Sequence, residues 1–334
     1  MRGKVSYLIA FIILLLACWL AMGLGSHQGQ IRFDAAWLFQ LDQADELQRN
    51  VLLIWRGPRV IAALLVGAAL AMAGLLLQGV TRNPLADPYL LGISGGAGLA
   101  VVLFRGLAIF QGADWWLTPI VALLGATLAN FAVLYLSRGS GGRVTVLGLI
   151  LGGVVINAFC AALMSFMLAR FDPFHLRVTT LWLAGGISFA PWTQLLVVGA
   201  FVFAAWLYLR MRAHQLNAFA LGGAGAKSVG VDSERLLLRS ALLASFLAAI
   251  GVSLAGLLGY VGLIVPHVVR LVVGRDFRRT LTLSAVLGAS LLLLADTAAR
   301  LAFAPEELPV GVLTAIMGCP VLLILLRAQL KGKR

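Results

Sequence analysis

The sequence predicts an all-α polytopic membrane protein, about ten transmembrane helices in one compact bundle. Two observations carry this. Of 334 residues, 61% are hydrophobic and only 12% are charged, whereas a soluble domain is about 25% charged. The apolar residues also fall in long unbroken runs, and at about 20 residues per crossing they supply at most about ten spans. Disorder needs the opposite composition. An outer-membrane barrel would show short alternating segments, which these runs are not.

The runs occupy 7–24, 60–77, 90–110, 117–136, 145–168, 192–209, 236–258, 260–273, 281–303 and 310–326. The first follows Arg2 and Lys4 as a secretion signal would, but Gly23, Leu24, Gly25 and Ser26 make a mediocre cleavage site, so an uncleaved span is expected. The stretch 179–189 is apolar but too short to cross and reads as a re-entrant or surface helix. The net charge of +13 speaks for topology rather than nucleic acid. With ten spans, Lys and Arg divide about two to one in favour of the side holding both termini, which is then cytoplasmic. Gly148 and Gly152 form a GxxxG pair, and Gly92, Gly95, Gly96 and Gly98 crowd the third run, as helices in close contact require.

Few residues invite chemistry. Cys18, Cys160 and Cys319 sit inside apolar runs without CxxC spacing, so neither a metal site nor a disulfide is expected. His267 follows Pro266 and reads as structural, while His27, His175 and His214 read as loop residues. The stretch LGGAGAKSVG at 221–230 has Ala226 and Leu221 where a phosphate loop needs glycine, which argues against ATP binding on this chain. It lies in the longest inner connection, 210–239, which is long enough for two short helices that dock into a partner's groove or for a solvated basic loop.

In RNPLADPYLLGISGGAG at 82–98, Pro84 and Pro88 break helix continuity while Asn83 and Asp87 can satisfy freed backbone groups. Broken backbone at a membrane edge is tolerated where it is buried or lines a wet cavity, so the segment is a gate element or a turn. Arg56 and Arg59 bracket Pro58 at an outer mouth, where their guanidinium forks can meet carboxylates or anchor a span. Arg300 follows Asp296 by one helical turn, and intramembrane acids are usually paired. Asn157, Met164, Ser165 and Met167 of the fifth run are candidates for a weakly polar, flexible pore lining. An ion-coupled secondary transporter would have Asp296 as its sole clear membrane acid, and an intramembrane hydrolase would have Ser165, Ser253 or Ser290 without a partner base.

The segments RNPLADPYLLGISGGAG, GYVGLIVPHVVRL (259–271), LLLLADTAARL (291–301) and ELPVGVLTAIMGCP (307–320) resemble the permeases of type II ABC importers, the iron-siderophore, haem and vitamin B12 uptake family. The resemblance runs from about Arg56 to the C-terminus. It implies a single importer transmembrane domain over 1–334 with a coupling loop at about 210–235, and no enzymatic activity or cofactor on this chain. ATP and Mg belong to two cytoplasmic ABC ATPase subunits, and a second permease subunit (a homodimer) and a periplasmic or lipid-anchored substrate-binding protein complete the machine in the inner membrane. The cargo implied is a bulky iron chelate such as a ferric siderophore, with haem or a corrinoid as the alternative. Carried over by position, Asn83 and Leu85 correspond to the cytoplasmic gate. Arg56, Arg59 and Arg300 correspond to the arginines that receive the binding protein's acids. Leu221, Gly222, Ala226 and Gly230 correspond to the element that docks on the ATPase, although Gly223 stands where the family often has Glu.

Overall fold

The computed structural model describes residues 2–27, 30–33, 50–107, 114–138, 144–187, 189–220, 230, 232–304 and 306–331. They form eleven α-helices: α1 (Arg2–Gly23), α2 (Gly57–Thr81), α3 (Ile93–Gly106), α4 (Asp114–Leu136), α5 (Val146–Leu168), α6 (Pro173–Leu183), α7 (Trp192–Ala220), α8 (Ser233–Ala255), α9 (Val261–Val273), α10 (Phe277–Leu301) and α11 (Val310–Lys331). A π-helical turn, Val51–Arg56, leads into α2, and a 3₁₀ turn, Pro88–Leu91, precedes α3. One feature has no precursor in the hydropathy: a two-stranded antiparallel hairpin, Leu24–His27 with Gln30–Phe33, after α1.

Among the described residues, eight helices are long and apolar enough to cross a membrane. The expected third and eighth spans are the two short ones, α3 with 14 residues and α9 with 13. The third expected span began at 90, but Pro88 and a left-handed Gly92 at φ 80° interrupt the helix there, so α3 starts at Ile93.

Polar residues that end a hydropathy run often begin or extend a helix instead. Asp172, Asp232 and Asp276 each accept backbone N–H groups in the first turns of α6, α8 and α10, and Thr145 accepts Gly148 N in α5. Asp172 therefore starts α6 at Pro173, so the short helix expected at 179–189 lies earlier, and Gly185 at φ 79° follows it. His175 falls in the first turn of α6 and His214 in α7, not in loops. Helix α7 continues through Arg210 and Arg212, which stack over Trp206 and Tyr208 at 5.6 and 5.8 Å. The connection expected from 210 is thereby shortened to 221–232.

Helix α2 is the central post, with 78% of its span buried against α10, α8, α9 and α7, while the same figure is 22% for α5 and 17% for α1 and α11. Close crossings make this possible. A Cβ on Gly67 would lie 2.2 Å from Gly288 O of α10, and one on Gly74 would lie 1.9 Å from Gly262 O of α9. Beside the second crossing, Gln78 Nε2 donates to Gly262 O at 3.1 Å and its Oε1 accepts from Arg270. Gly74→Leu is therefore expected to force α2 and α9 apart, with a cost of at least about 1–3 kcal/mol. Thermal unfolding in detergent checks this, and an unchanged midpoint would refute the close crossing.

Candidate functional site

At the end where α1 and α10 finish and α2 begins, four charged side chains converge. Arg59 grips Asp296 through Nε, at 3.1 and 3.2 Å, and through Nη2 at 2.9 Å. Its Nη1 donates to Glu307 at 2.9 Å. Arg300 Nε stands 3.4 Å from Asp296 Oδ2, close enough for ion pairing though its geometry gives no hydrogen bond. Asp296 is 1% exposed, Arg59 25% and Glu307 53%. The carboxylate is thus enclosed between two guanidinium groups, while one edge of Arg59 faces outward to an exposed acid. Arg300 Nη2 also donates to Ala21 O at 3.3 Å, and Arg56 Nη1 donates to Met22 O at 2.7 Å. Both carbonyls belong to the last turn of α1, where helical C=O groups lack partners and positive charge is favourable.

The turn spacing of Asp296 and Arg300 predicted one arm of this cluster. The resemblance grouped Arg59 with Arg300, but its pairing with Asp296 and Glu307, 237 and 248 residues away, was not foreseen.

At the opposite end of α2 the chain turns sharply. Arg82 closes the helix in the left-handed region at φ 52°, an unusual conformation for a residue with a Cβ. Asn83 Oδ1 then accepts Leu85 N at 3.0 Å, and Asp87 Oδ1 accepts Tyr89 N at 2.8 Å, so both side chains hold their own loop. Asn157 of α5 fastens the turn from outside. Its Nδ2 donates to Tyr89 O at 3.0 Å, and its Oδ1 accepts Gly95 N at 3.0 Å. The Asn157 amide is thus spent on the backbone of this turn. Leu85, Asp87 and Tyr89 line a cavity of about 390 Å³ whose other walls are Tyr260, Leu263 and Leu322.

Burial pushes the Asp87 carboxyl up to about 6, against the hydrogen bond from Tyr89 N. The fold thus favours the neutral acid. That contribution to stability is present below the ordinary carboxyl value and is lost as pH rises through about 6. Asp87→Asn keeps a capping oxygen and is expected to flatten the dependence of the unfolding midpoint between about pH 4 and 6. Identical pH profiles for the two proteins would refute this.

The end of α7 reaches back to this turn. Arg82 Nη2 donates to Phe219 O at 2.7 Å, and its guanidinium lies 4.8 Å from the Phe219 ring. Two residues earlier, Asn217 donates to Asp276 Oδ1 at 3.0 Å and accepts Phe277 N at 2.8 Å. The last turn of α7 is therefore latched to the C-terminal end of α2 and to the start of α10. Leu221, Gly222 and Ala226 lie outside the described residues. Gly230 is left-handed at φ 76°, just before the Asp232 cap of α8.

On α5, Met164 packs beside Gly98 and Met167 beside Gly106 of α3, and both are half-buried. Ser165 is exposed, and its hydroxyl donates to Ala161 O at 2.9 Å. The face around it is apolar and open, with Phe159 and Phe166 at 60% and 62% exposure. His267 is half-buried. Among the described residues, no group of three or more His, Cys, Asp or Glu could hold a metal ion.

A bundle of membrane-length helices around one buried post, with an ion cluster at one end and a fastened turn at the other, has the build of a multi-pass permease. The chain belongs to the FecCD transport family, whose model matches residues 13–328, and its relatives are permeases of type II ABC importers, which work with ATPase and binding-protein partners. It is 37% identical over 339 residues to the hemin transport system permease protein HmuU of Yersinia pestis, covering 98% of both chains. It is 34% identical over 334 residues to the iron(3+)-hydroxamate import system permease protein FhuB of Bacillus subtilis, covering 99% of this chain and 85% of the relative. A solved structure described as an inward-facing metal-chelate type ABC transporter superimposes with a TM-score of 0.80 at 28% identity, over 97% of this chain and 99% of the other.

Proposed function

We propose that this chain carries a ferric siderophore across the inner membrane as the permease of an ATP-driven importer. The observation that carries this reading is the match of the family model to residues 13–328, together with an iron(3+)-hydroxamate permease aligned over 99% of the chain. A second cargo, haem, is favoured by the hemin permease aligned over 98% of it. In either case two copies pair, both termini face the cytoplasm, ATP and Mg are held by two separate ATPase subunits, and a binding protein delivers cargo from outside. The whole chain is then one transmembrane domain.

The parts divide by end. Leu85 narrows the inner exit, and Asn83 sets the turn that presents it. The α5 face with Asn157, Met164, Ser165 and Met167 borders the path, although Asn157 acts there by fastening the turn. The segment holding Leu221, Gly222, Ala226 and Gly230 receives the ATPase stroke. Arg56, Arg59 and Arg300 form a cationic rim for the binding protein's carboxylates.

The experiment is affinity purification of the chain from its native membrane, with identification of co-purifying proteins and a visible spectrum of the pool. A P-loop ATPase in near-equal amount is expected, with a ferric charge-transfer band for a siderophore or a Soret band for haem. Absence of an ATPase under conditions that preserve other complexes would overturn the reading.

The rim has its own test. Reversing Arg59 would also break the grip on Asp296, so Arg56→Glu is the cleaner variant. It is expected to slow association with the binding protein about tenfold at low salt, since rim charges act mostly on encounter. Unchanged association kinetics would remove Arg56 from docking.

A further inference from the structure

We propose that Glu307 is an internal stand-in for the binding protein's carboxylate: it occupies Arg59 in the undocked permease, and docking exchanges it for an acid of the partner. The inference rests on the docking role proposed above for Arg59, and it names what that arginine holds when no partner is seated. The guanidinium shows the occupancy bond by bond. Its Nε and Nη2 bind Asp296, which is 1% exposed. Its Nη1 faces both oxygens of Glu307, at 2.9 and 3.2 Å. A guanidinium meets an acid best along an edge that carries two parallel N–H donors. The Nε–Nη2 edge is closed by Asp296. The edge from Nη1 to Nη2 is the remaining one reachable from outside, and both of its nitrogens already hold a carboxylate. An incoming acid therefore cannot take that edge while Glu307 stays.

Charge gives the same answer. Arg59, Arg300, Asp296 and Glu307 sum to zero, so the four-residue cluster offers an acidic partner no net attraction as it stands. Turning Glu307 away leaves two guanidinium groups with one buried carboxylate, and the cluster gains one net positive charge for the partner to neutralise.

Burial decides which of the two acids moves. Asp296 sits on α10 between two arginines, and releasing it would strand buried charge. Glu307 is 53% exposed in the connection from α10 to α11. The backbone on either side of it is fastened, with Glu306 N donating to Phe303 O at 3.0 Å and Leu308 N to Ala299 O at 3.2 Å. The side chain alone can therefore swing into water, and the exposed pair it gives up is a weak one. Glu306 provides the comparison. It is exposed as well, yet it makes no ion pair among the described residues. Two adjacent acids thus carry the same charge, and only one of them covers Arg59.

The test uses the full-length permease in lipid nanodiscs and the binding protein recovered with it from the native membrane, titrated at about 0.15 M salt, where the Debye length is about 8 Å. Glu307→Gln should tighten the dissociation constant about threefold, the size of one exposed ion pair. Glu307→Asp keeps the charge but falls one methylene, about 1.5 Å, short of Arg59, and should tighten it too. Glu306→Gln removes the same charge without uncovering Arg59 and should leave docking unchanged. A second readout needs no partner: phenylglyoxal modification of Arg59, followed by peptide mass spectrometry, should run about threefold faster in Glu307→Gln and at the parent rate in Glu306→Gln. Weaker docking by Glu307→Gln would overturn the proposal, because Glu307 would then itself be a contact for a basic residue of the partner. Equal tightening by the two Gln variants, or parental docking by Glu307→Asp, would leave charge alone as the cause and overturn it as well. So would an Arg59 modification rate that ignores Glu307. Failure of the importer reading shows separately, as a parent chain that binds no such protein although Glu307→Gln still uncovers its Arg59.

Discussion

Asp296→Ala is expected to lose about 3–5 kcal/mol of stability, the largest effect of any single substitution considered for this chain. Asp296 is 1% exposed and lies between Arg59 at 2.9 Å and Arg300 at 3.4 Å. Its removal leaves Arg300, 13% exposed, without an acid beside it and Arg59 with only the exposed Glu307, so most of the desolvation of Arg300 stays uncompensated. The loss spreads beyond the pair, because Arg59 anchors the first turn of α2 and Arg300 reaches the last turn of α1. Glu307→Ala is the internal comparison. It removes a 2.9 Å contact to the same arginine, but its carboxylate is 53% exposed and the effect should be under about 1 kcal/mol. Unfolding midpoints in detergent distinguish the two. If Asp296→Ala melts with the parent, the buried clamp is not what holds α1, α2 and α10 together at this end.

Arg82→Gln should separate ATP hydrolysis from transport in the assembled importer. The reason is its position: it ends α2 beside Asn83 and Leu85, while its guanidinium holds the carbonyl and ring of Phe219, the residue next to last in α7. Through this bond the end of α7, which precedes the proposed coupling segment, touches the turn after α2 directly. The side chain is largely exposed, so the low end of the range for charge-assisted bonds applies, about 1.5 kcal/mol, or about tenfold in transport per ATP hydrolysed. Arg82→Lys keeps the charge but cannot donate to the carbonyl and stack over the ring at once, so only partial recovery is expected. Proteoliposome uptake measured alongside phosphate release is the assay. Parallel changes in both rates, or none in either, would exclude Arg82 as the link.

Much of the architecture was legible because membrane physics writes it in composition. Runs of apolar residues locate the spans, since the hydrocarbon core sets their length and forbids unpaired backbone. The break after 82 was visible in Pro84 and Pro88, which disrupt a helix, whereas the left-handed Gly92 that sets the start of α3 came from the structure. Where hydropathy misplaced an edge, a capping or amphipathic residue was responsible. Asp172, Asp232 and Asp276 are polar and yet begin helices, and Arg210 and Arg212 are charged and yet extend one.

What the sequence determined by itself is the class of molecule, the approximate number and rough place of its spans, and a short list of candidate residues. The tertiary structure decided who meets whom. That Asp296 is shared by Arg59 as well as its turn neighbour Arg300, that Asn157 fastens the turn before α3, and that Arg82 ties α2 to α7 are facts about helices packed side by side. The physical reason is range. Hydropathy and capping act within a few residues of chain, whereas an ion pair or a close glycine crossing depends on the angle and register of two helices, which only their packing fixes.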